Sequence, residues 1–125
     1  MARTDMTRVM LDTNAYDAIL KYGDAERIKA ASLDVIATDA QEDEISQIRD
    51  GFRRGQLMSL FMRNQPVVAP QMAWDASRDA IIGAAAAMYA DLLVTDDKAL
   101  TAQLARTAPK LRVLTYENFR KEFLT

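Results

Sequence analysis

A chain of 125 residues, half of them apolar and 27% charged, has the size of one compact domain with its own core, and the mixed charges exclude a largely disordered polypeptide. There is no cysteine and no histidine, which removes disulfides, thiolate metal sites, cysteine nucleophiles, Ser-His-Asp triads and imidazole bases together. A net charge of −2 gives no overall basic footprint, so hydrolytic chemistry must rest on carboxylates, Lys, Tyr or hydroxyls, and any nucleic-acid contact on a local group of cations.

The opening MARTDMTRVMLDTN places acids before and inside a short apolar run and reads as neither a signal nor a transit peptide. A cytoplasmic protein is expected, and the alanine-rich stretch from Ala80 to Ala90 is too short to span a bilayer. The first strand is predicted at Arg8 to Leu11, followed by a helix from Thr13 to Tyr22 that Gly23-Asp24 punctuates, then a short helix from Ala25 to Ala31. A strand from Leu33 to Thr38 leads into a helix from Asp39 to Phe52, with a further helical turn from Gln56 to Arg63 and a strand at Val67 to Ala69. Asp75 is a candidate N-cap for a helix running to Ala90. Strand Leu92 to Thr95, helix Asp97 to Arg106, strand Arg112 to Leu114 and helix Tyr116 to Phe123 complete the chain. Short β-branched runs alternating with helices define βαβ units, hence an α/β fold with a parallel sheet of four to five strands covered on both faces, and residues 1–125 are expected to form a single domain.

Four segments put carboxylates where such a sheet carries its ligands, outside the C-terminal strand ends. Asp12 directly follows the first strand, where it can act as a site residue or as a helix N-cap. In ATDAQEDEISQI the apolar stripe Ile45, Ile48 and Phe52 is flanked by Glu44 and Glu42 on opposite sides, while Asp43 points to solvent. Asp79 shares a small apolar face with Ile82, Gly83 and Ala86, which carries it toward the interior, where a carboxylate requires a partner. The fourth segment, LLVTDDKAL, ends an apolar strand in Thr95, Asp96 and Asp97. Two carboxylates about 6 Å apart at an effective dielectric of about 20 repel by about 2–3 kcal/mol, a sign that a dication reverses, and an all-oxygen site selects Mg²⁺ or Mn²⁺.

These residues resemble the PIN-domain nucleases, and among them the VapC-like toxins of bacterial toxin-antitoxin pairs. VMLDTNAY is similar to the family's first strand and Asp-Thr-Asn start, with Asp12 in the ligand position and Asn14 in the supporting one. Thr38 leads to Glu44 at the family's six-residue spacing, DAIIGAAA from Asp79 resembles its Asp-Ala-x-Ile-x-Ala helix, and VTDDK resembles its Val-Thr-x-Asp, with Asp97 in the acidic position. RVLTYENFRKEF is similar to the closing strand and helix, whereas Arg53 to Met72 carries no family motif.

The resemblance implies a PIN-like fold and a metal-dependent endoribonuclease in which Asp12, Glu44, Asp79 and Asp97 hold Mg²⁺ or Mn²⁺, supported by Asn14, Thr95 and Asp96. It also implies an RNA substrate, a cognate antitoxin and a homodimer. Arg49, Arg53, Arg54 and Arg63, with Lys98 beside the acids, form the densest basic stretch and are candidates for phosphate contacts. Two other readings stand beside this one. The first is a catalytically silent PIN-like scaffold; the second is a receiver-like phosphoryl-transfer domain, whose acidic pair would be expected at the first strand, whereas the pair here lies next to Lys98.

Overall fold

The computed structural model describes residues 7–31, 33–62, 65–66 and 78–124, the side chains of residues 39, 40, 65, 66, 78 and 79 excepted. In chain order the elements are β1 (Thr7–Leu11), α1 (Thr13–Tyr22), α2 (Ala25–Ala30), β2 (Leu33–Ala37), α3 (Asp39–Ser46), α4 (Gly51–Phe61), β3 (Gln65–Pro66), α5 (Arg78–Tyr89), β4 (Leu92–Val94), α6 (Lys98–Thr107), β5 (Arg112–Leu114) and α7 (Tyr116–Phe123). The strands form one parallel sheet in the order β3-β2-β1-β4-β5, flanked by helices as the α/β reading requires. In the central register Val9 lies opposite both Val35 and Leu92, and Leu11 lies opposite Val94.

The two-residue period of a strand divides the core into two layers. Val9, Leu11, Leu92 and Val94 face one side and pack with Tyr16 and Ile19 of α1, Leu57 and Phe61 of α4, and Phe119 of α7. Met10, Ile36 and Leu93 face the other, where Ile82, Ala85 and Ala86 of α5 and Leu100 and Leu104 of α6 cover them. Both faces being covered explains why the central strands read as unbroken apolar runs. Gly83 belongs to this second layer: a Cβ there would come within 3.3 Å of a Leu100 methyl, so its missing side chain permits the close approach of α5 and α6.

Two differences from the sequence reading concern the middle of the chain. The helix expected from Asp39 to Phe52 ends at Ser46, and a new helix starts at Gly51 and absorbs the separate turn expected at Gln56. Asp50 causes the break, since its carboxylate accepts from the backbone N–H groups of Phe52 and Arg53 and caps α4. Phe52 is consequently 77% exposed, and Leu57 and Phe61 carry the buried stripe instead. The strand expected at Val67 to Ala69 and the cap expected at Asp75 lie outside the described residues; the strand pairing with β2 is Gln65–Pro66. Among the described residues no helix is long and apolar enough to cross a membrane.

The strand order also locates a crevice. The chain moves outward from β1 through β2 to β3 and then returns to place β4 on the opposite side of β1, so the β1–β4 boundary is the point where progression reverses. In open α/β sheets ligands bind outside the carboxyl ends of the strands at this point. A receiver domain has the order 2-1-3-4-5, which this sheet does not share.

Candidate acidic site

Asp12 stands where β1 leaves the sheet, with its backbone N–H held 2.9 Å from the Val94 carbonyl of β4. Its two candidate roles coincide: Oδ1 caps α1 by accepting from the Thr13 N–H at 2.7 Å, while Oδ2 accepts from the Thr95 hydroxyl at 2.7 Å. Only 5% of Asp12 is exposed. Burial pushes its carboxyl above the ordinary aspartate range, the Thr95 and Thr13 hydrogen bonds pull it part of the way back, and the negative charges of Glu44 and Asp97 push it up again. Charges from α3 and from the start of α6 thus bear on one buried carboxylate.

Glu44 reaches the site from the last turns of α3. It is half-buried, and its Oε1 accepts the Thr13 hydroxyl at 2.8 Å, whereas Glu42 and Asp43 are exposed. The geometry therefore turns Glu44, and not Glu42, toward the end of β1. Thr13 was not singled out by the sequence reading, although it lies inside the Asp-Thr-Asn segment; its amide binds Asp12 and its hydroxyl binds Glu44. Asn14, the next residue, is exposed in the first turn of α1.

Gln41 was also missed. It is fully buried and forms a reciprocal capping box with Thr38: the Gln41 N–H donates to Thr38 Oγ1 at 3.4 Å, and the Thr38 N–H donates to Gln41 Oε1 at 3.1 Å. Its remaining group, Nε2, donates to the Leu11 carbonyl, tying α3 to the end of β1. The Thr-x-x-Gln spacing that signals such a box was present in the sequence.

Beyond β4, Thr95 is buried and its hydroxyl serves two partners, donating to Asp12 and accepting the Asp97 N–H at 3.1 Å. Asp97 caps α6 through Oδ1, which accepts the Leu100 N–H at 3.0 Å. Asp96 is engaged elsewhere: exposed, it accepts the Tyr116 N–H at 3.0 Å at the start of α7. The backbone of Asp79 lies in the first turn of α5, and its side chain falls outside the described atoms; Ile82, Gly83 and Ala86, on the face it was expected to share, are buried. Among the described residues no three acidic side chains stand close enough to grip one ion as placed. The described part of the site is an electrostatic convergence of Asp12, Glu44 and Asp97 whose donors are all oxygen, a chemistry that suits hard dications.

The cations are distributed differently. Arg53 makes a two-pronged contact with Asp17 of α1 at 3.0 and 2.6 Å, and Arg54 donates to the Ile48 carbonyl at 2.7 Å, so both hold α4 in place. Arg49 and Lys98 are exposed, Lys98 directly after Asp97, and Arg63 lies outside the described residues.

The parallel five-stranded sheet with helices on both faces matches a PIN-like fold. A solved structure described as that of the PIN domain endonuclease Utp24 is similar, with a TM-score of 0.65 over 86% of this chain and 84% of that chain at 19% sequence identity. No protein-family model and no curated protein matches the sequence.

Proposed function

We propose that this chain is a metal-dependent endoribonuclease acting from the β1–β4 crevice. The observation that carries this reading is the burial of Asp12 against two further anionic side chains at the reversal point of the sheet, an arrangement that disfavours the anion until a cation balances it. Asp12, Glu44 and Asp97 would hold Mg²⁺ or Mn²⁺, with Asp79 completing the set from α5. The chemistry such an ion supplies is Lewis-acid activation of water and neutralisation of charge on a phosphodiester.

The chain's own residues then have positioning roles. Thr95 holds Asp12, Thr13 holds Glu44, and the cap on α6 holds Asp97, so each carboxylate has a hydrogen-bond partner that limits its freedom around the crevice. With no histidine or cysteine in the chain, the carboxylates at the crevice are placed to orient a water. Exposed Lys98 beside Asp97 is placed for a phosphate contact. The similarity to a structure described as a PIN domain endonuclease supports nuclease chemistry, and the sequence resemblance to VapC-like toxins supports RNA as substrate, a toxin role in the cytoplasm, a cognate antitoxin and a homodimer.

A scaffold role is favoured by one observation, that Asp12, Asp96 and Asp97 each also satisfy backbone N–H groups at helix starts. The two readings separate when purified protein is incubated with single-stranded RNA in Mn²⁺ or in chelator, beside the Asp79→Asn variant. Cleavage by the unaltered protein in Mn²⁺ alone, lost in the variant, is the expected result. Intact RNA in every lane would favour the scaffold instead.

A further inference from the structure

A second feature opens at Asp96. A cleft of about 800 Å³ is lined in part by Lys21, Tyr22, Asp96, Tyr116, Glu117 and Arg120. Asp96 forms part of its wall, one residue along the chain from both Thr95 and Asp97, while Tyr22 lies at the far end of α1 from Asp12, about 15 Å away along the helix. Tyr22, at the end of α1, is 48% exposed yet firmly held. Its ring lies nearly parallel to that of Tyr116, at 13° and 6.1 Å between centroids, and the Arg120 guanidinium sits 4.4 Å from its centre.

Both supports are anchored on one carboxylate. Asp24 is fully buried and accepts the Tyr116 hydroxyl at 2.8 Å and Arg120 Nε at 2.7 Å. The Lys21 ammonium lies 5.4 Å from the Tyr22 ring centre. A half-exposed aromatic ring fixed by a hydrogen-bonded stack is preorganised for stacking, because little side-chain freedom remains to be lost when a planar partner arrives.

The charges decide what that partner is. Asp17, Asp96 and Glu117 line the cleft with Lys21 and Arg120, but Asp17 is paired with Arg53, Glu117 with Lys121 and Arg120 with Asp24, so the lining charges are largely balanced. A balanced cleft offers phosphate no excess of cations, whereas carboxylates beside an aromatic face accept hydrogen bonds from the N–H groups of a base. We propose that Tyr22, backed by Tyr116 and Arg120, is a nucleobase-stacking subsite that holds one unpaired base of single-stranded RNA a helix length away from Asp12. The proposal rests on the ribonuclease reading for the identity of its ligand.

The test measures binding of a short fluorescent single-stranded RNA in chelator, where no cleavage interferes, for the unaltered protein, Tyr22→Ala and Tyr22→Trp. A companion set of RNAs lacks the base at each position in turn. Tyr22→Ala is expected to weaken binding about tenfold and Tyr22→Trp to preserve it. One abasic position should weaken binding to the unaltered protein by a similar factor and leave Tyr22→Ala unaffected. Equal affinities for Tyr22→Ala and the unaltered protein, an abasic penalty that persists in Tyr22→Ala, or no RNA binding at all would overturn the subsite; a melting curve for each variant separates these from misfolding. Cleavage in Mn²⁺ is assayed in parallel on the unaltered protein, so binding without cleavage sinks the nuclease reading while the subsite stands.

Discussion

Replacing Asp12 by Asn preserves shape and deletes a charge that is 95% shielded from solvent, and the structure sets the sign of the result. Burial first, and the Glu44 and Asp97 charges in addition, raise the folded-state pKa of Asp12 above its unfolded value, against a smaller opposing effect from Thr95 and Thr13. The folded protein therefore binds this proton more tightly than the unfolded chain does. The stabilisation that follows is complete below the unfolded pKa and is lost as pH rises through the folded one. At neutral pH the unaltered protein carries a strained anion that Asn lacks. Relief of the burial penalty and of the repulsion from Glu44 and Asp97 favours Asn, and weakening the charge-assisted bond from Thr95 returns part of that gain. A net gain in stability is expected for Asp12→Asn at neutral pH without metal, each 1 kcal/mol of it raising Tm by roughly 4 °C for a chain of this size. Urea denaturation in chelator at neutral and acid pH measures it, and the advantage should shrink as pH falls. Adding Mn²⁺ should reverse the order, because a ligand at a hundred times its Kd stabilises the unaltered protein by about 2.7 kcal/mol and the variant much less. A variant less stable than its parent at neutral pH in chelator would refute the account of Asp12 as a buried anion awaiting a cation.

Gln41→Leu leaves the Leu11 carbonyl without its donor and removes the capping box. We expect a loss of about 2–3 kcal/mol in urea denaturation, with RNA cleavage falling further than stability because Glu44 rides on the same helix. Asp97→Ala should lower stability by about 1 kcal/mol through the lost α6 cap and abolish cleavage, whereas Asp97→Ser should recover the stability and not the activity, as read by melting and RNA cleavage. Arg120→Ala exposes buried Asp24 to a partial loss of compensation; with Arg27 still 3.2 Å away, the expected loss is about 2 kcal/mol by denaturant titration. The Tyr116 phenol is held well above the ordinary range by burial first and then by its bond to Asp24, so its neutral form stabilises the fold until pH rises through that raised value. Ultraviolet titration, read as the difference from Tyr116→Phe, should show Tyr116 remaining protonated until the alkaline unfolding transition.

Much of this architecture was legible because its signals are local. The helices Thr13–Tyr22 and Tyr116–Phe123 appear with the bounds expected from periodicity and punctuation, including the left-handed Gly23 that ends α1 at φ 67°. Strands β1, β2, β4 and β5 fall within two residues of expectation, and Thr38 and Thr95 leave them to become a cap and a site hydroxyl. The break at Asp50 was harder to read, because Ile45, Ile48 and Phe52 fit a continuous helical stripe. The competing cap, together with burial of Leu57 and Phe61 against Tyr16, outweighs that pattern.

The sequence by itself determined the chemical alphabet of this protein: no imidazole, no thiol, and carboxylates at the ends of apolar strands, because composition and strand patterning are properties of neighbouring residues. The tertiary structure decided which acid meets which. Thr13 selects Glu44 over Glu42, Thr95 joins Asp12 to the start of α6, and Asp96 is drawn away to α7, since each choice depends on a hydrogen bond between elements 20 to 83 positions apart. Contacts at that separation are fixed by how the sheet is ordered, and no local pattern encodes them.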